Sequence, residues 1–503
     1  MAIPNLIQQP NPSKPVDETV WWLPWLFALA AIALGSAAGL LIPIIESPAL
    51  VFVIVAGMPA LFITTTRSEY GLLFLVFMTY IRLSDVLIRY HGLPSIFQPY
   101  LAFLLGVIAL RWYLYGEMPQ NIKRTLFLFG GYILMAATSL AYASNYWAAR
   151  GAFSDLLKAA IVGLIVVLML QRREQLRQVV WALLAAGILM GTISTYQYLT
   201  GTYDNIYWGF GQANIQNIIG KEDDYRIAGA IGDPNFYAQV LVMLVPLAMD
   251  RLWNERTVLM RILAGWSLGV CLLTIVFTFS RGGLLSLIVV LAVQLVRRPP
   301  SLPSILLMAV VIVPLLQFVP ASYTERLSTL LDLIPGVGDS QANVTEVSYR
   351  GRTSEVLIGL YMFGDNPLTG VGIENYPSNY QAYSRQLGLD PRLEDRHPHS
   401  LYVQILAEHG LMGGVMFVFM MWVILFGLYK SEQELEELGF HQEAGMGAAL
   451  LIGLAGYLTA GIFLHNAYPR FFWLLLGIAL AFPNIAKAER LARKKELAMN
   501  NEQ

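Results

Sequence analysis

Charge is what this 503-residue chain has least of: 13% of its residues are charged, against about 25% in soluble domains. Its residues are 56% hydrophobic, and mean hydropathy is +0.55. That balance excludes an ordinary soluble domain and points to an all-α polytopic membrane protein. With a net charge of −1 nothing suggests nucleic-acid binding. The GxxxxGK[ST] phosphate loop is also missing, which excludes an ATP-driven pump built on that motif, so energy must come from a substrate or a gradient. Cysteine is nearly absent. Cys271 stands alone inside an apolar run, which excludes an intrachain disulfide framework and a cysteine-based metal site. The acids Glu222, Asp223 and Asp224 have no histidine or second carboxylate cluster beside them, so no metal and no cofactor are expected. Residues 1–20 are polar and proline-rich with Lys14 as their one cation. Without a basic region and a cleavage site, the first apolar run is expected to remain as a signal anchor.

What the chain has in abundance is apolar runs of about 20 residues, the length that crosses a bilayer. They predict 12–14 transmembrane helices near 21–44, 48–66, 70–89, 96–115, 125–143, 152–170, 177–199, 236–250, 261–279, 283–297, 303–319, 400–428, 445–465 and 470–486. Lys123 and Arg124, then Arg172, Arg173 and Arg177, then Arg251, Arg256 and Arg261, then Arg297 and Arg298 mark alternate connections. The positive-inside rule makes these cytoplasmic. The predicted organisation is a cytoplasmic tail over 1–20, a single transmembrane domain over 21–486 and a cytoplasmic tail over 487–503. Two long connections, 200–235 and 320–398, face outward, and long loops of this kind usually carry function.

The second of these loops concentrates the candidate residues. Arg350 and Arg352 are two apart, so an extended backbone would aim both guanidinium groups to one side, where they would suit a diphosphate. Two solvated surface arginines are the plainer alternative. The following TSEVLIGLYMF predicts an amphipathic helix with Val356, Leu357, Leu360 and Phe363 on its apolar face and Arg352 at its start, ended by DNPLTGVG. His397 and His399 flank Pro398. Proline favours the first helical turn, which places His399 in that turn, where the positive helix end would keep its imidazole neutral and able to accept a proton. Either histidine is a candidate base. Glu408 lies about 13 Å deeper along the same helix, a costly position for an acid that implies function or pairing with a buried arginine. Arg281 is expected at the outer end of an apolar helix, either snorkelling or binding an anion, with Gly282 and Gly283 permitting a break. In RIAGAIGDPNFYAQ, Asp233, Pro234 and Asn235 predict a helix cap. Arg226 there either joins an anion site or pairs with the nearby acids.

The ordered set SRGG, RTSEVLIGLYMFGDNPLTGVGIENY and HSLYVQILAEHGLMGG, with RIAGAIGDPNFYAQ upstream, resembles the O-antigen ligase and polymerase (Wzy_C-like) superfamily of bacterial membrane proteins. The resemblance covers about residues 226–430. It implies a metal-independent, type-C glycosyltransferase fold with a large external loop, in a multi-pass protein of the bacterial plasma (inner) membrane. It also implies an undecaprenyl-diphosphate-linked glycan donor and inverting transfer to a glycan, lipid or protein acceptor. Carried over by motif, Arg281 and Arg352 would bind the donor diphosphate and His399 would be the catalytic base. Arg350, Arg226, His397 and Glu408 remain auxiliary candidates. Ligase and repeat-unit polymerase are alternative activities on the same residues. A small-anion (bicarbonate) transporter is an alternative of another class, although transporters bind at the midplane of broken helices and these cations cluster outside.

Overall fold

The computed structural model describes residues 61, 63–116, 122–215, 225–319, 347–389, 395–465 and 467–501. The chain divides into Met1–Ile63 and Thr64–Gln503, and the fold below is that of the second unit. The expected tail 1–20, the expected span 21–44, most of the span 48–66, the acids 222–224 and part of the loop 320–398 lie outside the described residues. So does the side chain of Arg350.

Every apolar run expected from residue 70 onward is helical. In order the helices are α1 (Ser68–Tyr80), α2 (Leu83–His91), α3 (Phe97–Tyr115), α4 (Ile122–Thr138), α5 (Tyr146–Met169) and α6 (Arg173–Thr200). A small hairpin follows, β1 (Ala213–Ile215) pairing antiparallel with β2 (Tyr225–Ile227), an addition to the all-helical expectation. Then come α7 (Pro234–Val242), α8 (Leu244–Asn254), α9 (Val258–Phe277), α10 (Arg281–Arg297), α11 (Leu302–Leu315), α12 (Val347–Asp365) and α13 (Tyr376–Leu387). The last three are α14 (Leu401–Glu437), α15 (His441–Ala460) and α16 (Arg470–Asn501). Among the described residues nine helices are long and apolar enough to cross a membrane, or ten with the pair α1 and α2, which is bent by 55°.

The centre of the bundle is α7–α8, 89% buried over its apolar window, whereas α3 is only 28% buried and turns apolar side chains such as Leu110 and Trp112 outward. Lipid is as apolar as leucine, so burial in a membrane bundle rests on close packing of small residues. Helix α15 supplies them at Gly445, Ala449 and Gly453, and Gly453 lies directly against Met243 between α7 and α8.

Helix α14 contains the feature that shapes the site. At Gly410 (φ 60°, ψ −157°) its backbone leaves the helical conformation, which frees amide and carbonyl groups inside apolar surroundings. The turn after α12 takes them up: Leu411 N–H donates to Pro367 O (2.7 Å) and Met412 N–H to Leu368 O (3.2 Å), while Val371 and Gly372 N–H donate to the carbonyls of Ala407 (2.8 Å) and Glu408 (2.9 Å). Irregular backbone at membrane depth is tolerated only when satisfied in this way. A Cβ at Gly410 would stand 2.5 Å from the Leu368 carbonyl, and one at Gly370 would meet the backbone of Ala407 to His409. Gly410→Ala is therefore expected to destabilise the protein by more than the ~1–3 kcal/mol of backbone strain alone, read as a lower Tm in detergent. Gly364→Ala, on α12 with open space around it, is expected to leave Tm within a degree or so; equal effects would contradict the docking of the turn into the break.

Candidate active site

His399 is not in the first turn of α14. That helix starts at Leu401, and its N-cap is Ser400, whose hydroxyl accepts from Val403 N–H. Pro398 is thus not at the first helical position, and His399 sits before the cap with φ 38°. What fixes its ring is a carboxylate rather than the helix end. Nδ1 lies 2.8 Å from Glu355 Oε2, and Arg396 Nη1 donates to Glu355 Oε1 at 2.8 Å. Glu355 is 1% exposed, and the backbone carbonyl of the same residue accepts from Tyr376 OH. A carboxylate only accepts, so Nδ1 carries the proton and Nε2 is left as the basic nitrogen. Nε2 makes no hydrogen bond among the described residues.

Glu355 lies one turn beyond Arg352 on α12. This helix starts at Val347, not at Arg352, so positions 350 and 352 stand about 200° apart around the axis and the extended pair expected of them does not form. Glu355, Ile358 and Met362 are buried, and Leu357 and Leu360 point outward. Spacing of three puts Arg352 on the side of the helix that carries Glu355.

Arg281 opens a helix instead of closing one. Helix α9 ends at Phe277, Phe279 takes φ 51°, and Ser280 caps α10 by accepting from Gly283 N–H. Arg226 lies at this corner: its buried guanidinium donates to Thr278 O (2.8 Å) and to Asn235 Oδ1 (2.9 Å), bonds that tie β2 and α7 to the turn before Arg281. Asp233 caps α7 as the spacing predicts, accepting from the amides of Asn235 and Phe236. A Cβ at Gly282 would stand 3.2 Å from Phe463, which brings the start of α10 beside the connection between α15 and α16.

That connection holds a residue the sequence reading passed over. His465 stacks on His397 with centroids 4.3 Å apart and planes at 4°, meets His399 edge-on at 5.4 Å and touches Phe236 at 5.2 Å. Three of the six histidines thus form one cluster, with Glu374 3.8 Å from His397. Burial holds the His465 imidazole well below its ordinary value, and the charges of His397 and His399 add to that. Burial also lowers His397, partly offset by Glu374. Both rings bind protons more weakly folded than unfolded, so stability is full above about pH 6.5 and falls as pH drops below it. Tm is expected to decline on acidification below that point, and His465→Gln is expected to flatten the decline; an unchanged slope would exclude His465 as its source.

Among the described residues Glu408 has no arginine partner. Its carboxylate accepts from Tyr468 OH at 2.9 Å, and the same hydroxyl lies 2.7 Å from His409 Nε2. This buried trio sits beside the Gly410 break, apart from the Glu355–His399 pair. Four of the six non-glycine residues with positive φ, namely Arg82, Phe279, Glu374 and His399, surround the histidine cluster or adjoin Arg281. Strain of this kind gathers at functional sites.

Glu355, Arg396, His465 and Tyr468 were invisible as site residues before folding. The signal available was scarcity: Glu355 stands directly before the apolar run VLIGLYMF, and His465 interrupts two apolar runs.

No curated protein matches the chain. Residues 266–418, a segment that contains Arg281, Arg352, Glu355, His399 and the Gly410 break, match the Wzy_C family model, described as O-antigen ligase. The chain is a multi-span membrane protein, and its residues 266–418 are similar to the O-antigen ligase family.

Proposed function

We propose that the protein is a metal-independent inverting glycosyltransferase that moves a glycan from undecaprenyl diphosphate to an acceptor hydroxyl at the outer face of the plasma membrane, in the manner of an O-antigen ligase. The observation that carries this reading is the Glu355–His399 pair within the matched segment, with Glu355 on the same helix as Arg352. Glu355 fixes the Nδ1–H tautomer, and His399 Nε2 takes the proton of the acceptor hydroxyl as that oxygen attacks the anomeric carbon. The bond from that carbon to the diphosphate oxygen breaks, and its electron pair leaves with the diphosphate. Arg281 and Arg352 stabilise the charge that builds there, in a site from which water is partly excluded. Cleavage of the diphosphate linkage drives the transfer, so no ATP motif is needed. The charge distribution along the chain supports cytoplasmic termini and an outward-facing site.

Glu355→Gln tests the pair. An amide can donate to Nδ1 and so stabilise the wrong tautomer, and the loss in turnover is expected to be on the order of 10²-fold or more, by analogy with carboxylate-to-amide changes in catalytic triads. Donor KM should stay near wild type and the pH profile should shift. Normal turnover with an unchanged profile would make Glu355 merely structural. Deletion of the gene tests the ligase reading: long unattached glycan chains support it, while single repeat units indicate a polymerase using the same residues.

A further inference from the structure

A cavity of about 780 Å³ opens beside the histidine cluster, within the range of about 300–1,000 Å³ of small-molecule sites. It is bounded by Arg82 and Asp85 at the α1–α2 bend, Phe236, Glu374, His465 and Arg470. Arg281 and Arg352 do not line it. We propose that this cavity is the acceptor subsite and that its occupant is a short oligosaccharide, an inference that rests on the glycosyltransfer reading above.

The chemistry of the wall selects that class. Acids and arginines alternate, and Asp85 accepts from both Arg82 (2.9 Å) and Arg470 (3.2 Å). A diphosphate or a small anion would meet these carboxylates as well as the cations, whereas sugar hydroxyls donate to one and accept from the other. Phe236, partly exposed at the wall, gives an apolar face for a pyranose. Two wall residues carry buried polar atoms with no hydrogen-bond partner among the described residues, His465 Nδ1 and Gln404 Oε1, and such atoms in a native protein call for a partner. Arg82 and Glu374 hold positive φ, a strain typical of ligand clamps. His465 both lines the cavity and meets His399 edge-on, so an oligosaccharide seated at this wall extends past that ring to bring its hydroxyl to the base.

The test plugs the cavity. Ala152, a partly exposed wall residue on α5, is changed in Ala152→Cys and labelled with fluorescein maleimide in membranes that hold the native acceptor. The wild-type protein, whose one thiol at Cys271 is buried, is the control. Transfer by unlabelled Ala152→Cys is the reference for its labelled form. The labelled form should lose at least tenfold in transfer while still binding undecaprenyl diphosphate, followed by native mass spectrometry. Transfer that survives labelling overturns the subsite, and so does loss of undecaprenyl diphosphate binding, which would assign the cavity to the donor. If the wild-type control transfers nothing, the glycosyltransfer reading falls and the subsite with it.

Discussion

His399→Ala is expected to lower glycan transfer by roughly 10²–10⁴-fold, the usual contribution of a general base, with expression and Tm close to wild type. The ring is partly exposed and lies outside any helix, so removing it leaves no core cavity. Alanine also relieves little, because position 399 keeps its positive φ; a modest fall in Tm would reflect the loss of the Glu355 contact alone. The loss should appear in turnover rather than in donor KM, since Nε2 acts on the acceptor proton and not on the diphosphate. His397→Ala serves as the contrast. That ring stacks on His465 and faces Glu374 without a carboxylate that fixes its tautomer, and its variant should keep most of the activity. A His397→Ala protein as inactive as His399→Ala would assign the base to the cluster and not to one ring.

Arg352→Ala is expected to cost about 10²–10³-fold, the range for loss of one fixed donor to a developing negative charge, and here donor KM should rise as well. Lysine keeps the charge but loses the planar fork that matches phosphate oxygens, so Arg352→Lys should recover only part of the activity. Arg281→Ala should behave in the same way. Arg226→Ala should instead lower Tm, because its guanidinium ties Thr278 and Asn235 together and its influence on transfer passes through the corner that carries Arg281. Near-normal transfer by Arg352→Ala would remove that residue from the donor site.

The contrast between what could be read along the chain and what required folding is physical. Spans were legible because a bilayer demands runs of about 20 apolar residues, and each run from residue 70 onward is helical, those at 70–89 and 236–250 as two helices each. The cap at Asp233 was legible because Asp-Pro-Asn satisfies helix amides locally. His399 was misplaced because two caps competed over three residues, Pro398 as a first-turn proline and Ser400 as an N-cap, and the serine prevailed. Arg281 was put at the end of one helix when it begins the next, since an S-R-G-G run signals a break without saying which side the arginine joins. The Gly410 break carries no proline to announce it; it depends on carbonyls and amides of a turn about 40 residues earlier in the chain. Glu355 and His399 are 44 residues apart, and His465 comes from a different connection altogether. No spacing rule reports contacts at such separations.

The central claim is that this protein transfers glycan from a lipid diphosphate with His399 as base. The direct measurement is transfer by purified wild-type and His399→Ala protein, side by side in liposomes, from purified undecaprenyl-diphosphate glycan to acceptor, with the anomeric configuration of the new linkage determined by NMR. Transfer with inverted configuration by the wild type, reduced at least hundredfold in the variant, is the expected result. Absence of transfer by the wild type, retention of configuration, or undiminished transfer by His399→Ala would contradict the account.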